Sequence, residues 1–110
     1  MTKEELRQYR SIKLEIRQLQ RRINEMERRV DTVTYTQSLR DLYLNKLQGL
    51  VECQMNIEKA IETLDPIERE VMRLRYIDGA DWTEVAATIN YEWTQTHRIH
   101  ARALAKIKNL

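Results

Sequence analysis

Phenylalanine is absent from this chain, and glycine, proline and cysteine are nearly so: Gly49, Gly79, Pro66 and Cys53 are the whole supply. Each shortage closes off a class of protein. A lone cysteine forms no internal disulfide and fits a reducing compartment. Two isolated glycines build no phosphate-cradling loop, and so few turn formers leave little room for hairpins. Serine nucleophiles are scarce as well. Ser11 and Ser38 fall in or beside long charged segments, and Cys53 sits in an apolar stretch where a thiol is expected as a small core residue. No apolar run approaches membrane length, and the start is charged from Lys3 onward, unlike a leader peptide. No enzymatic activity, cofactor or membrane partner is expected.

What is present is charge and aliphatic bulk, with 33% charged and 42% hydrophobic residues. A chain rich in Glu, Lys, Arg, Leu and Ile and poor in breakers reads as all-α. At 110 residues it has room for one modest domain, or a small domain plus an elongated helical element. Two Trp and five Tyr make a thin core, which small chains often supplement by self-association. The net charge of +2 says little, but its distribution says more. Residues 31–65 carry six acids against three bases, whereas Arg98, Arg102, Lys106 and Lys108 follow His97 with no acid among them. A basic C-terminal helix on a balanced chain is the usual footprint of phosphate contact.

Three segments follow from the periodicity. The first opens on a capping box, Thr2 with Glu5, and runs to about Val33. Its apolar residues alternate three and four apart through Tyr9, Ile12, Ile16, Leu19, Ile23, Met26, Val30 and Val33, a heptad seam that needs a partner. Thr32–Ser38, rich in β-branched residues and hydroxyls, reads as a connection, with Ser38 as the next N-cap. The second segment repeats the alternation through Tyr43, Leu47, Leu50, Gln54, Ile57, Ile61 and Leu64, its face widened by Leu39, Leu42, Leu44, Val51 and Met55. Gly49 interrupts it and weakens or bends that helix. Either the two segments close as an antiparallel hairpin, or the seam Ile12, Ile16, Leu19, Ile23, Met26 and Val30 pairs with a second copy, a dimer being favoured. Both arrangements fit a four-helix assembly.

The third segment, residues 64–110 after a helical region over 1–63, starts cleanly with Asp65 as N-cap, Pro66 at the first helical position and Glu68 three residues past the cap. Asp78-Gly79 ends that helix, Asp81 with Glu84 caps the next, and Asn90-Tyr91-Glu92 is a turn before a last helix from Trp93 to about Lys108. Two short helices joined by a tight turn, the second basic, make a helix-turn-helix pattern. The small Ala86 and Ala87 let the pair cross closely.

These residues also carry a resemblance. Glu70-Val71-Met72-Arg73-Leu74-Arg75-Tyr76, Asp81-Trp82-Thr83-Glu84-Val85-Ala86 and Ile99-His100-Ala101-Arg102-Ala103-Leu104-Ala105-Lys106-Ile107 resemble region 4 of sigma-70-type transcription factors. The first two thirds do not resemble a sigma factor, and the whole plan looks more like small phage transcription regulators of the ArpU/RinA type. The resemblance implies a duplex-DNA partner and the cytoplasm of a bacterial host cell. It places base-reading positions on Trp93, Thr94, His97 and Arg98, where the residues differ from those typical of the family, implying a different DNA sequence.

Residue chemistry adds detail. Arg98 has the fork to read a guanine edge, its plainer role being a phosphate contact. Trp93 either meets a thymine methyl or packs back on Tyr91. Arg75, Thr83, Gln95, Arg102, Lys106 and Lys108 are expected at phosphates. His97 and His100 lack the third and fourth ligands zinc requires, so no metal is expected. The arginines of the first segment read as a solvated exterior interleaved with Glu15, Glu25 and Glu27. The expected function is a sequence-specific, oligomeric transcriptional regulator. Its rivals are a DNA-packaging subunit similar to a small terminase, and an interaction module that grips RNA polymerase without reading DNA.

Overall fold

A computed structural model describes residues 1–28 and 33–110, with the backbone alone over 33–36. Among the described residues the chain is all-α: α1 (Lys3–Arg7), α2 (Tyr9–Glu27), α3 (Val33–Glu62), α4 (Pro66–Met72), a π-helical turn (Arg73–Ile77), α5 (Trp82–Ile89) and α6 (Trp93–Ile107). The Thr2 capping box forms as expected, with the Glu5 N–H donating to Thr2 Oγ1 at 3.2 Å. The first helix, however, is broken at Gln8, whose N–H turns back to the Glu5 carbonyl at 3.2 Å. The second correction concerns the connection. Helix α3 already runs through Ser38, which is therefore interior and caps nothing. Hydroxyl and β-branched residues cost only a few tenths of a kcal/mol each in a helix, too little to end one by themselves.

Helices α2 and α3 form an antiparallel hairpin. Glu27, at the end of α2, accepts from Arg40 near the start of α3 at 3.0 Å, while Tyr9 at the start of α2 donates to Glu58 near the end of α3 at 2.6 Å. Ile12, Ile16, Leu19 and Ile23 are buried by the chain itself, and Tyr43, Leu47, Leu50 and Gln54 are half-buried. The seam from Ile12 to Ile23 is thus covered within one chain, and pairing two copies through that part requires the hairpin to open. Met26 is half-buried, and Val30 lies outside the described residues. Leu42 and Met55 do not widen the apolar face as expected; both are exposed. Cys53 is exposed too, because the buried register passes through 50, 54 and 57 and leaves position 53 on the outer side.

Gly49 lies within α3, and a Cβ added there meets nothing within 4 Å. Gly49→Ala is expected to stabilise that helix by about 0.5–1 kcal/mol, because only the conformational entropy of the unfolded chain changes. Urea unfolding followed by helical circular dichroism checks it, and a loss of stability would contradict the unhindered helix seen here.

Two compact units divide the chain, one of residues 1–10 with 56–110 and the other of residues 11–55. The expected division at 63/64 is therefore not the one observed. The N-terminus belongs with the C-terminal helices: Leu6 is fully buried, and the terminal ammonium donates to the carbonyls of Ile107 at 3.1 Å and Leu110 at 2.8 Å. In the same unit Val71, Val85 and Ile99, one from each of α4, α5 and α6, form the centre of a core flanked by Ile67, Leu74, Ala80, Trp82 and Ile89. No helix among the described residues is long and apolar enough to cross a membrane.

Candidate nucleic-acid interface

The geometry of the site follows from two short-range rules. Asp81 caps α5 by accepting from the Glu84 N–H at 2.8 Å, and Asn90 ends it in the left-handed conformation at φ 58°. There the Tyr91 N–H bonds back to the Ala86 carbonyl at 3.1 Å. Asn tolerates this conformation better than most residues, so the chain reverses within Asn90–Glu92 and enters α6 at Trp93. Val85 and Ala86 are buried where α5 meets α6, while Ala87 is exposed. The result is two helices joined by a three-residue turn, with the start of the second one projecting.

Trp93, Thr94, Gln95 and Arg98 are exposed on the first turns of α6, and Thr83 is exposed at the start of α5. Further along α6, Ala101 and Ala105 are exposed on the Thr94–Arg98 face and leave it low. Arg98, Gln95, Tyr91 and Arg102 line a shallow groove of about 300 Å³ over Ile67 and Ile99.

His97 is placed differently from expectation. Its half-buried ring lies against both Trp93, with centroids 3.8 Å apart, and Trp82, 4.3 Å apart. Its Nε2 is buried and makes no hydrogen bond among the described residues. Trp93 therefore finds its ring partner one turn along its own helix. His100 continues the cluster inward: it meets Trp82 in a T-shaped contact with centroids 4.6 Å apart, and its Nε2 shares a 2.7 Å hydrogen bond with the Tyr76 hydroxyl. Burial foremost, then the electrostatic influence of Lys3, His97, Arg75 and Arg7, pushes the His100 pKa down to about 4, so the imidazole is neutral at pH 7. Burial likewise raises the Tyr76 phenol, keeping its proton in place.

Three residues expected at phosphates also make contacts within the protein. Arg75 donates to the Ala80 carbonyl at 3.1 Å and holds its guanidinium 4.9 Å above the Trp82 ring. Arg102 and Lys106 close on Glu68, a carboxylate with no exposed surface, at 2.8 and 2.7 Å. Lys106 also reaches Asp65 at 2.9 Å. Burial alone would raise the Glu68 pKa, but hydrogen bonds from Lys106, Arg102 and the Asp65 N–H outweigh it and hold the carboxyl below its ordinary range. A buried charge is tolerated only when paired in this way. Lys108 is exposed past the end of α6.

Sequence reasoning missed both the aromatic cluster and the Glu68 ion-pair centre. The four-residue step from Trp93 to His97 and the three-residue step to His100 put those rings on one helix face, and that much was visible. That Trp82 arrives from another helix to join them was not. Among the described residues no group of His, Cys, Asp and Glu side chains is arranged to hold a metal.

A scan against family models matches residues 60–109 to Sigma-70, region 4. No curated protein and no solved structure matches the chain. The matched stretch covers α4, the π-turn, α5 and α6, the elements that build the projecting helix pair. Residues 60–109 are therefore a sigma-70 region 4-like helix-turn-helix domain, a DNA-binding, transcription-related fold that follows an N-terminal helical part.

Proposed function

We propose that the chain is a sequence-specific, double-stranded DNA-binding transcription regulator of the phage or prophage kind, reading the major groove with the first turns of α6. One observation carries the proposal. The face of α6 bearing Thr94, Gln95 and Arg98 is exposed, and the side chains that follow it, Ala101 and Ala105, are too small to obstruct a groove. Helix-turn-helix proteins seat the N-terminal part of this second helix against base edges while the first crosses the backbone. The contacts of His97 with Trp82 and Trp93 support the reading by fixing the start of α6 against Trp82 on α5. Within the proposal, Arg98 reads a base, Thr94 and Trp93 flank it, Thr83, Gln95 and Lys108 meet phosphates, and His97 holds the first turn in place. A homodimer belongs to the same proposal and uses a surface other than the covered seam of α2.

Selection of bound sequences from a random duplex pool at moderate salt tests this reading. A defined motif is expected, with symmetry if two copies bind. Arg98→Ala should then weaken the selected duplex by about 1–3 kcal/mol and relax preference at one position. Absence of any duplex binding at low salt would overturn the proposal and point to a protein partner such as RNA polymerase. Binding without a motif would leave only phosphate contact and favour a packaging role.

A further inference from the structure

Four cations gather around one cleft in the unit formed by residues 1–10 and 56–110. Lys3, Arg7 and Arg10, spaced four and three apart, line it together with Arg75, Tyr76 and Trp82, enclosing about 260 Å³. Gly79 completes the lining with φ at +76°, and the Arg10 guanidinium occupies the space a Cβ would need there. Glycine at 79 thus admits both the turn and the arginine.

What sets this cluster apart is that four cations share one cleft whose lining includes no acid. Among the described residues, Arg69, Arg73, Arg102 and Lys106 are each ion-paired with Glu58, Glu62, Asp65 or Glu68. Among the described residues, none of Lys3, Arg7, Arg10 and Arg75 has a carboxylate within 4.0 Å. The acceptor on Arg75 is a neutral carbonyl, that of Ala80. Like charges held together without counter-charge repel one another, and an anion in the cleft removes that cost.

The position of the cleft identifies the anion. Trp82 opens α5, the helix that crosses the DNA backbone in a helix-turn-helix complex. The indole carries Arg75 at 4.9 Å and His97 of α6 at 4.3 Å, so it joins the cleft lining to the recognition helix. We infer that the cleft of Lys3, Arg7, Arg10 and Arg75 takes a backbone phosphate of the strand flanking the groove entered by α6. The inference rests on the DNA-binding reading above and adds to it a clamp contributed by the N-terminal segment, outside the region 4 match.

The test uses the full chain and a duplex selected by the wild type, with affinity measured across a salt series. Arg7→Ala with Arg10→Ala is expected to weaken binding by about ten-fold or more and to reduce the log–log salt slope by up to about two, with sequence preference unchanged. Arg7→Lys with Arg10→Lys keeps the charge and should keep the slope; a loss equal to that of the alanine pair would mark a folding effect and overturn the inference. Wild-type slope and affinity in the alanine pair would overturn it too. So would pyrophosphate that raises the melting temperature of the wild type but not of the alanine pair while the DNA slope stays unchanged, since the cleft would then serve a small phosphate. A wild type that binds no duplex removes the DNA-binding reading itself. An unchanged slope in a wild type that does bind removes the clamp alone.

Discussion

Acidification from about pH 7.5 to about pH 5 is expected to cost the region 4 unit about 2 kcal/mol of stability through His100 alone. The pKa of this imidazole falls from 6.5 to about 4 on folding, first because it is buried and then through the electrostatic influence of Lys3, His97, Arg75 and Arg7. The unfolded chain therefore binds a proton that the folded chain refuses. The stabilising contribution is complete above the unfolded value, is lost as pH falls from 6.5 toward 4, and is gone below both values. The protonated ring would also be a cation held against the Trp82 ring and the Tyr76 hydroxyl. Urea midpoints across this pH range measure the effect, and His100→Gln should flatten the curve. An unchanged midpoint in the wild type between pH 7.5 and 5 would show that the folded ring takes up its proton freely.

Glu68→Ala is the second large effect, a loss of about 2–3 kcal/mol by urea unfolding at neutral pH. Removing one partner of a buried pair ordinarily costs about 3–5 kcal/mol because a charge is left stranded. Here the stranded partners, Arg102 and Lys106, are 57% and 43% exposed and recover water, which lowers the figure. What remains is the cavity and the unanswered Asp65 N–H. Glu68→Gln keeps the shape and an acceptor for that N–H, so it should lose less. On DNA the sign reverses. Both variants release two cations on α6, and Glu68→Gln should bind the selected duplex at least as tightly as the wild type. A fully stable Glu68→Ala protein would show the pair to be dispensable. Because folding lowers the Glu68 pKa, its own contribution is present above the ordinary carboxylate value and fades as pH drops below it, an acid window lower than that of His100.

Much of the architecture came from local rules that need no tertiary information. The Thr2, Asp65 and Asp81 helix starts and the Asn90–Glu92 turn appear where capping and turn chemistry put them, since each depends on residues within one helical turn. The buried stripe of α2 followed from its heptad spacing, because the period alone decides which residues share a face. The helix-turn-helix likewise rests on short spacing and the size of its side chains.

Contacts between distant segments were beyond that reach. Nothing in the surroundings of Ser38 announced that α3 begins before it. No local signal showed that Gln8 breaks the first helix so that residues 1–10 pack with α6. The fate of the basic residues was the largest surprise. Lysine and arginine look alike in a charge count, yet Arg102 and Lys106 neutralise a buried carboxylate thirty-odd residues away, while Lys3, Arg7 and Arg10 gather beside Arg75 from the opposite end of the chain. The physical reason is range. Helix periods and caps are set by neighbours a few residues apart, so the sequence alone determined the all-α class, the Thr2, Asp65 and Asp81 helix starts, the buried stripe of α2 and the short turn between α5 and α6. Whether a cation is spent on a carboxylate or left open to an anion depends on groups brought within a few ångströms only by folding, and the tertiary structure alone decided that.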